Sequence, residues 1–400
     1  MTRLAIAAAD GTFNAYLALP PGGRGPGLVL AQEIFGVNAA MRSLADAYAE
    51  EGYVVLVPDL FWRQAPGIEL GYNPADFERA FALYQAFDEA AGVRDLQATI
   101  DTLRAHPAVT GKVGVMGFCL GGKLAYLCAC RTNADVAIGY YGVGIEHALG
   151  EAASLRGRLV LHIAANDAYC PPDAQAAIRT ALQGREKVEI YTYPGVDHAF
   201  ARPGGDHYDK TAAQFAQQRS IGALKAEMGP HYDLSALWDQ HCAFEFESRD
   251  VPATMSTMVA EPYVNHIPTM TGGVGQTALA NFYRDHFVNS NPPDTTLTPI
   301  SRTVGANQVV DELLFCFTHT CEVPWMLPGV APTGKRVEIP LLAVVKFRGD
   351  KLCHEHIYWD QASVLVQIGL LDPKGLPVAG VETARKLLDE SLPSNTLMGQ

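Results

Sequence analysis

In the first 228 positions, short apolar runs alternate with longer amphipathic segments. The apolar runs predict strands near 28–31, 54–57, 113–116, 136–139, 159–163 and 188–191. Several are continuously apolar, which is typical of strands that are buried on both faces. The amphipathic segments predict helices near 39–51, 75–105, 121–131, 173–183 and 207–227. This alternation predicts a doubly wound, mostly parallel sheet, with ligand sites at the carboxyl ends of its strands.

The pattern changes after the Gly229-Pro230 pair, which breaks the last predicted helix. The segment 229–235 is predicted to be a linker. Residues 236–400 are predicted to form a second domain. This domain begins with an amphipathic helix that contains Trp238 and His241, has a second helix near 277–288, and continues with strands near 308–319, 337–347 and 351–360. Helices followed by long strands predict an α+β cone whose curved sheet encloses a pocket.

The composition limits which kinds of partner and which cellular compartment we expect for this protein. A length of 400 residues favours two domains, and 48% hydrophobic residues are enough for two cores. The net charge of −13 argues against nucleic acid. No apolar run is long enough for a membrane span, and the first residues do not resemble an export signal. The eight cysteines form no CxxC pair, which favours free thiols in the cytoplasm. We therefore expect a cytoplasmic protein with a small-molecule substrate and no cofactor.

The segment GKVGVMGFCLGGKLAYL, residues 111–127, contains a cysteine between glycines at the end of a predicted strand. The Gly-x-Cys-x-Gly pattern is typical of a nucleophile elbow, in which a tight strand-to-helix turn exposes the side chain of Cys119. The following helix points its N-terminus at the sulfur, which favours the thiolate and leaves a backbone N–H for an oxyanion. The alternative is a small buried residue in a tight turn, the usual place of a free cysteine.

Two further side chains follow later strands in the order that an α/β-hydrolase requires. Asp167 closes the run LVLHIAAND, and His198 follows the next strand in EIYTYPGVDHAF. Asp197 is an alternative acid, but a residue adjacent to His198 cannot easily reach its ring nitrogen. The sequence therefore predicts a Cys119, His198 and Asp167 triad.

Several motifs in the first half together resemble the dienelactone hydrolase family, also called carboxymethylenebutenolidases. They are LAQEIFGVNAAMR, PDLFWRQAPG, YQAFDEAAGVRDLQA, GFCLGG, AIGYYGVG and DHAFAR, which lie between residues 30 and 202. The resemblance as a whole is spread over residues 1–228. The resemblance implies an α/β-hydrolase fold and a hydrolase that opens a lactone or enol ester through a thioester on Cys119. It also implies that Glu33 holds the resting thiol and that the N–H groups of Ile34 and Leu120 form the oxyanion hole.

Charged residues near the expected site suggest how a substrate is bound. Glu33 lies in an apolar setting after a buried strand, where it needs a partner; the alternative is an exposed loop acid. Arg202 follows His198 by four positions and could bind a substrate carboxylate, or it could be a solvated surface residue. The family uses a second arginine before YQAFD. Arg79 lies near that place and is our candidate, but Phe77 occupies the aligned position.

The second half resembles the SnoaL-like, polyketide-cyclase-type family in TMSTMVAEPYVNHIPTMTGG, FCFTHTCEVPWMLPGVAPTGKRVEIP and CHEHIYWDQASVLVQIGLL. Alternation within HEHIYWDQ places one polar set on a single face, and we expect this set to line the pocket: His354, His356, Tyr358 and Asp360. Asp311, Glu312 and His319 could join this face, and His266 could mark the mouth of the pocket. The alternative for each histidine taken singly is a structural residue whose nitrogens are satisfied by hydrogen bonds. His354 and His356 could also bind a metal, but no third ligand accompanies them at a recognisable spacing, so we predict no metal site.

The two halves leave alternatives open for the whole chain. It could be a hydrolase with an appended pocket domain, a binding or oligomerisation protein whose hydrolase half is vestigial, or a bifunctional enzyme whose second domain performs acid–base chemistry. An intact triad favours the first. An open curved sheet often buries its outer face against a second copy, so a homodimer is also possible.

Overall fold

The apolar runs of the first half form the centre of an eight-stranded sheet in the computed structural model, which describes residues 2–398. The strands lie in the order β1-β2-β4-β3-β5-β6-β7-β8. All pairs are parallel except β1–β2 and β2–β4. The bounds are β1 Thr2–Ala8, β2 Gly11–Ala18, β3 Gly25–Ala31, β4 Val54–Pro58, β5 Val109–Phe118, β6 Val136–Tyr140, β7 Arg158–Ala164 and β8 Val188–Tyr193.

Helices connect these strands as the amphipathic pattern predicts. They are α1 Ala39–Glu50, α2 Pro74–Gln85, α3 Glu89–Ala105, α4 Leu120–Arg131, α5 Pro172–Leu182 and α6 Lys210–Met228, with a 3₁₀ helix at Ile145–Ser154. Strands β3 and β4 are buried along their whole length, as expected for a sheet covered on both faces. The predicted doubly wound α/β fold is confirmed.

Three local predictions in this half are wrong. The helix expected over 75–105 is two helices, because the extended Asp88 caps α3 by accepting a hydrogen bond from the N–H of Ala91. The helix expected from 207 begins at Lys210, because Asp209 caps it in the same way. The antiparallel strands β1 and β2 were not predicted, although Phe13, Ala15 and Leu17 are buried at alternate positions of β2.

The second unit has a six-stranded sheet in the order β10-β9-β14-β13-β12-β11, in which only β9 and β14 are parallel. The chain forms two compact units, Met1–His231 and Tyr232–Gln400, and this sheet belongs to the second. The strands are β9 Met258–His266, β10 Thr271–Val274, β11 Thr296–Val304, β12 Gln308–Thr318, β13 Arg336–Arg348 and β14 Lys351–Trp359. The helices are α7 Leu234–Phe246, α8 Val251–Ser256, α9 Gln276–Phe282, α10 Gln361–Ile368 and α11 Glu382–Leu388. The predicted α+β class is confirmed.

Two element boundaries differ from expectation here. Helix α7 begins at Leu234, inside the segment 229–235 predicted to be a linker, because Asp233 caps it by accepting a hydrogen bond from the N–H of Ala236 at 2.9 Å. The helix expected near 277–288 is α9 followed by one π turn, Tyr283–Phe287. Among the helices of residues 2–398, none is long and apolar enough to cross a membrane.

Candidate active site

Cys119 lies in the turn between β5 and α4 with backbone angles of φ 55° and ψ −113°. This left-handed conformation is strained for a residue other than glycine and lifts the side chain out of the strand direction. The neighbouring glycines allow the crowding: a Cβ on Gly117 would lie 1.9 Å from the carbonyl oxygen of Gly121, and a Cβ on Gly121 would lie 2.3 Å from that of Ala31. The turn has the geometry of a nucleophile elbow.

Asp167 and His198 meet next to this turn. Asp167 follows β7, His198 follows β8, and Asp167 Oδ2 lies 2.8 Å from His198 Nδ1. The other carboxylate oxygen of Asp167 accepts a hydrogen bond from the backbone N–H of Tyr169 at 2.8 Å. Because a carboxylate can only accept, Nδ1 of His198 carries a proton and Nε2 is the nitrogen left for chemistry. Asp197, the alternative acid, accepts from the backbone N–H of His198 at 2.6 Å.

The protonation of His198 depends on both neighbours. Burial alone would lower the pKa of its imidazole, but the charges and hydrogen bonds of Cys119 and Asp167 outweigh burial and raise the pKa to about 10. An imidazolium at neutral pH beside the sulfur is the arrangement that stabilises a negative charge on that sulfur. His198 thus interacts with both Cys119 and Asp167 through charge and hydrogen bonds.

Backbone N–H groups surround the elbow. Those of Gly121 and Gly122 donate to the carbonyls of Gln32 and Cys119, at 3.1 and 3.0 Å. Those of Ile34 and Leu120, the two predicted for an oxyanion hole, donate to no backbone carbonyl within residues 2–398. They therefore remain available to a ligand at the start of α4, where the helix dipole also favours negative charge.

Glu33 has different partners from those expected. It is 6% exposed, and its carboxylate accepts hydrogen bonds from Arg202 Nη1 at 3.1 Å and from the Tyr141 hydroxyl at 3.4 Å, and not from the Cys119 thiol in the described chain. Arg202 also stacks on the ring of Tyr72 at 4.3 Å. The predicted need of Glu33 for a buried partner is thus met by Arg202, because a guanidinium offsets a buried carboxylate better than a neutral thiol does.

The pocket above Cys119 is lined on one side by aromatic residues. Helix α2 contributes Phe77, Phe81 and Tyr84, which lie on one helical face because they are separated by four and three positions. Arg79 is exposed and lies outside this pocket, so its prediction as a substrate-binding residue is wrong. Two positions from Phe77 correspond to a rotation of about 200° around the helix, which turns Arg79 to solvent.

The polar face of β14 that was predicted to line a pocket in the second unit faces away from the internal cavity. His354, His356 and Tyr358 lie on the more exposed face of β14, and Asp360 follows the strand as the cap of α10. The internal cavity is lined instead by Glu355 and Ile357 from the opposite face. The alternation was predicted correctly, but the choice of face was wrong, because α7 packs over the other side and pairs its His241 with Glu355.

The other polar candidates of this unit take up different positions. His266 is 3% exposed and lies in the cavity wall. Asp311 accepts hydrogen bonds from Trp238 and Arg302, Glu312 accepts from Ser301, and His319 contacts Thr333. Asp311, Glu312 and His319 do not contribute to the wall of this cavity. The hydrogen bonds of Asp311, Glu312 and His319 thus connect them to structural neighbours in this unit.

Residues 13–228 match the family model described as the dienelactone hydrolase family. The chain belongs to the dienelactone hydrolase family. It is therefore a carboxylic-ester hydrolase of the α/β-hydrolase fold. Residues 239–355 match the model of the SnoaL-like domain, so the resemblance of both halves is confirmed.

Individual relatives of this dienelactone hydrolase family member match its first half. The carboxymethylenebutenolidase of Pseudomonas putida is 39% identical over 225 residues, which are 55% of this chain and 94% of the relative. Carboxymethylenebutenolidase 1 of Cupriavidus pinatubonensis is 38% identical over 54% of this chain and 92% of its own. A solved dienelactone hydrolase-like promiscuous phosphotriesterase from metagenomic libraries shares the fold, with a TM-score of 0.50 at 21% identity, over 57% of this chain and 98% of its own.

Sequence reasoning missed two sets of residues in this family member. The aromatic wall of the first pocket had a signal, the spacing of Phe77, Phe81 and Tyr84 on an amphipathic helix. The second set is a buried group in the other unit, formed by His241, Glu245 and Glu355. Its only signal was His241 and Glu245 one helical turn apart, which is also common in exposed helices.

Proposed function

We propose that the first unit hydrolyses a lactone or an activated ester with Cys119 as nucleophile, His198 as acid and base, and Asp167 as the residue that orients His198. The observation that carries this proposal is the 2.8 Å contact of Asp167 with His198 Nδ1 next to the positive-φ turn that holds Cys119. The alternative, a buried structural cysteine, does not explain why a strained turn presents the sulfur to a pocket.

The reaction has two steps. The Cys119 thiolate attacks the carbonyl carbon, and the negative charge that develops on the carbonyl oxygen is stabilised by the N–H groups of Ile34 and Leu120. When this tetrahedral intermediate collapses, the bond between the carbonyl carbon and the leaving oxygen breaks. The leaving oxygen takes the proton from His198 Nε2, and a thioester on Cys119 remains. His198 then removes a proton from water, the hydroxide attacks the thioester, and the acid and the Cys119 thiolate are released.

A direct test looks for the thioester. We expect that the whole chain, mixed with p-nitrophenyl acetate and quenched with acid, carries one acetyl group on the tryptic peptide 113–123, whose single cysteine is Cys119. Hydroxylamine should remove the group, because it cleaves thioesters readily. Steady turnover with the acetyl group on another peptide, or with an adduct that is stable to hydroxylamine, would contradict the assignment of the nucleophile.

The pocket favours a neutral or aromatic substrate over a strongly acidic one. Its charged lining residues include Glu33, Arg202 and Asp206, and Arg202 is already paired with Glu33. A substrate carboxylate would have to compete with Glu33 for the only guanidinium among the described lining residues. Phe77 and Phe81, 43% and 41% exposed, instead offer apolar surface that a substrate can cover.

We expect Phe77→Arg to shift this preference. A guanidinium at position 77 would face the pocket without a carboxylate partner of its own, so kcat/KM for a lactone that bears a carboxylate should rise about 10-fold relative to a neutral aryl ester, the effect of one charge-assisted pair. The measurement is the ratio of the two kcat/KM values in the variant and in the unchanged chain.

Two variants control for this result. Phe215→Arg makes the same change of charge on an exposed residue of α6 outside the pocket, and Arg79→Gln removes the solvent-facing arginine of α2. Neither should change the ratio. A ratio that moves equally in Phe77→Arg and Phe215→Arg would show a general effect of charge and would refute the specific role of position 77.

Other features of the whole chain are also proposals. We propose that residues 1–228 and 236–400 are separate domains joined through 229–235, which agrees with the division between His231 and Tyr232. We propose a cytoplasmic location, supported by eight cysteines that form no disulfide within residues 2–398. A role of the second domain in forming a homodimer stays a prediction.

A further inference from the structure

Three ionisable side chains meet inside the second unit. His241 and Glu245 lie one turn apart on α7, and Glu355 lies on β14. His241 Nε2 is 3.1 Å from Glu245 Oε1 and 3.3 Å from Glu355 Oε1. The side chains are 0%, 4% and 4% exposed. Two carboxylates and an imidazole are thus concentrated in a site that water scarcely reaches, which is costly unless a further charge compensates them.

The hydrogen bonds of His241 fix which nitrogen faces the carboxylates. Its Nδ1 lies 2.6 Å from the Thr257 hydroxyl, and that hydroxyl donates its proton to the carbonyl oxygen of Thr254 at 2.6 Å. Thr257 can therefore only accept from His241, so Nδ1 carries the proton. Nε2 therefore points between Glu245 and Glu355 and lies within hydrogen-bonding distance of Glu245 Oε1, at 3.1 Å; an ion bound at this place would replace the proton on Nε2. A histidine oriented in this way through its second nitrogen is typical of metal ligands.

The distances fit coordination by one ion. With metal–ligand bonds of about 2.1 Å, ligand atoms at right angles lie about 3.0 Å apart and at tetrahedral angles about 3.4 Å apart. The two distances from His241 Nε2 fall in this range. The ligand atoms of all three residues lie within 4.8 Å of one another, so a small rotation of either carboxylate completes the arrangement.

A second, independent observation indicates that a ligand belongs here. The hydroxyl of Tyr283, a residue that is 1% exposed, lies beside Glu245 but makes no well-formed hydrogen bond in the described chain. Glu355 Oε1 also lacks a hydrogen bond there, although it is close to His241. Tyr283, Glu245 and Glu355 line one internal cavity, whose other walls include Trp238 and Trp325. Buried polar atoms that face a cavity without partners are rare in native proteins, and they are expected where an ion, a water or a ligand is bound.

We propose that His241 Nε2 and one carboxylate oxygen each of Glu245 and Glu355 bind a divalent transition-metal ion of the Zn²⁺ type. Two carboxylates neutralise the charge of such an ion, and one imidazole favours it over Mg²⁺ or Ca²⁺, which prefer oxygen ligands alone. Three protein ligands leave at least one coordination position open toward the cavity. That position, beside the Tyr283 hydroxyl, opens onto a cavity of about 40 Å³, which suits a water molecule or another small oxygen donor.

Metal binding by the whole, tag-free chain tests this proposal. After removal of metals with a chelator, we expect dialysis against ZnCl₂ to leave one high-affinity zinc per chain, whereas MgCl₂ and CaCl₂ leave none. The Tm of the second unit should rise with zinc, because an ion that binds only the folded state stabilises it. In Glu355→Gln, which keeps the shape of the side chain, we expect the affinity for zinc to fall about 100-fold or more.

The controls separate this site from other zinc ligands. Cys119→Ala removes the thiol of the first unit, and His356→Gln breaks the pair of His354 and His356, whose Nε2 atoms lie 2.6 Å apart on the same strand. Both should keep the tight zinc. Glu245→Gln gives a second test should Glu355→Gln fail to fold. Equal zinc affinity in the unchanged chain and in a folded Glu355→Gln or Glu245→Gln variant, or loss of zinc only in His356→Gln, would overturn the proposal.

Discussion

Cys119→Ala should lose hydrolysis of lactones and esters, with kcat/KM lower by about 10⁴-fold or more, as expected when a nucleophile is removed. Alanine has no atom that can form the thioester, so only uncatalysed attack by water in the pocket remains. The substitution should not unfold the protein. Cysteine and alanine tolerate a φ of 55° about equally, and the close approach of Gly117 to Gly121 is unchanged.

The measurement is kcat/KM for one lactone and one aryl ester, together with Tm and the far-ultraviolet circular dichroism of the variant. Cys321→Ala is a matched control, because it removes a partly exposed thiol in the second unit. It should retain full activity. Near-normal rates in a folded Cys119→Ala variant would mean that hydrolysis does not depend on this thiol, and the proposed mechanism would fail.

The second large effect concerns Asp167→Asn, for which we expect a loss of kcat of about 10³- to 10⁴-fold. The N–H of Tyr169 donates to one side-chain oxygen of Asp167, so an asparagine keeps its oxygen there and presents its NH₂ group to His198. His198 Nδ1 must then accept, and the ring proton moves to Nε2. In this tautomer Nε2 can no longer take a proton from the thiol or from water.

The same substitution should change the pH dependence. Asp167 and Cys119 raise the pKa of His198 to about 10 against the effect of burial. A raised pKa keeps the imidazolium present up to that pH, so activity that needs the imidazolium–thiolate pair should decline only as the pH rises through about 10. Without the carboxylate the pKa falls, and the alkaline decline should begin at a lower pH.

Asp197→Asn is the matched control for this experiment. Asp197 is next to His198 in sequence but contacts only its backbone N–H, and its side chain is 42% exposed. We expect kcat to stay within a few-fold of that of the unchanged chain, and the activity to decline at the same alkaline pH. If Asp197→Asn instead produced the larger loss, Asp197 would be the residue that orients His198, and the prediction from the sequence would have chosen the wrong acid.

Much of the first unit could be predicted because its signals are local. Continuous apolar runs identified the strands of the parallel sheet, and glycines on both sides of Cys119 identified the turn that follows β5. The positions of Asp167 and His198 after β7 and β8 predicted that they meet, since parallel strands end at one edge of the sheet. Errors at helix ends came from caps such as Asp88 and Asp209, whose side chains compete with the helix for backbone N–H groups.

The sequence by itself determined the fold class of each half and the places of the three proposed catalytic residues, because strand periodicity, turn glycines and chain order are properties of neighbouring positions. Only the tertiary structure decided which side chains share a pocket. Alternation along HEHIYW defines two faces of β14, but the packing of α7 decides that Glu355 is enclosed with His241 and that His354 and His356 are not. In the same way, the pairing of Glu33 with Arg202 joins residues 169 positions apart. Such contacts depend on how elements pack, and no local pattern encodes that packing.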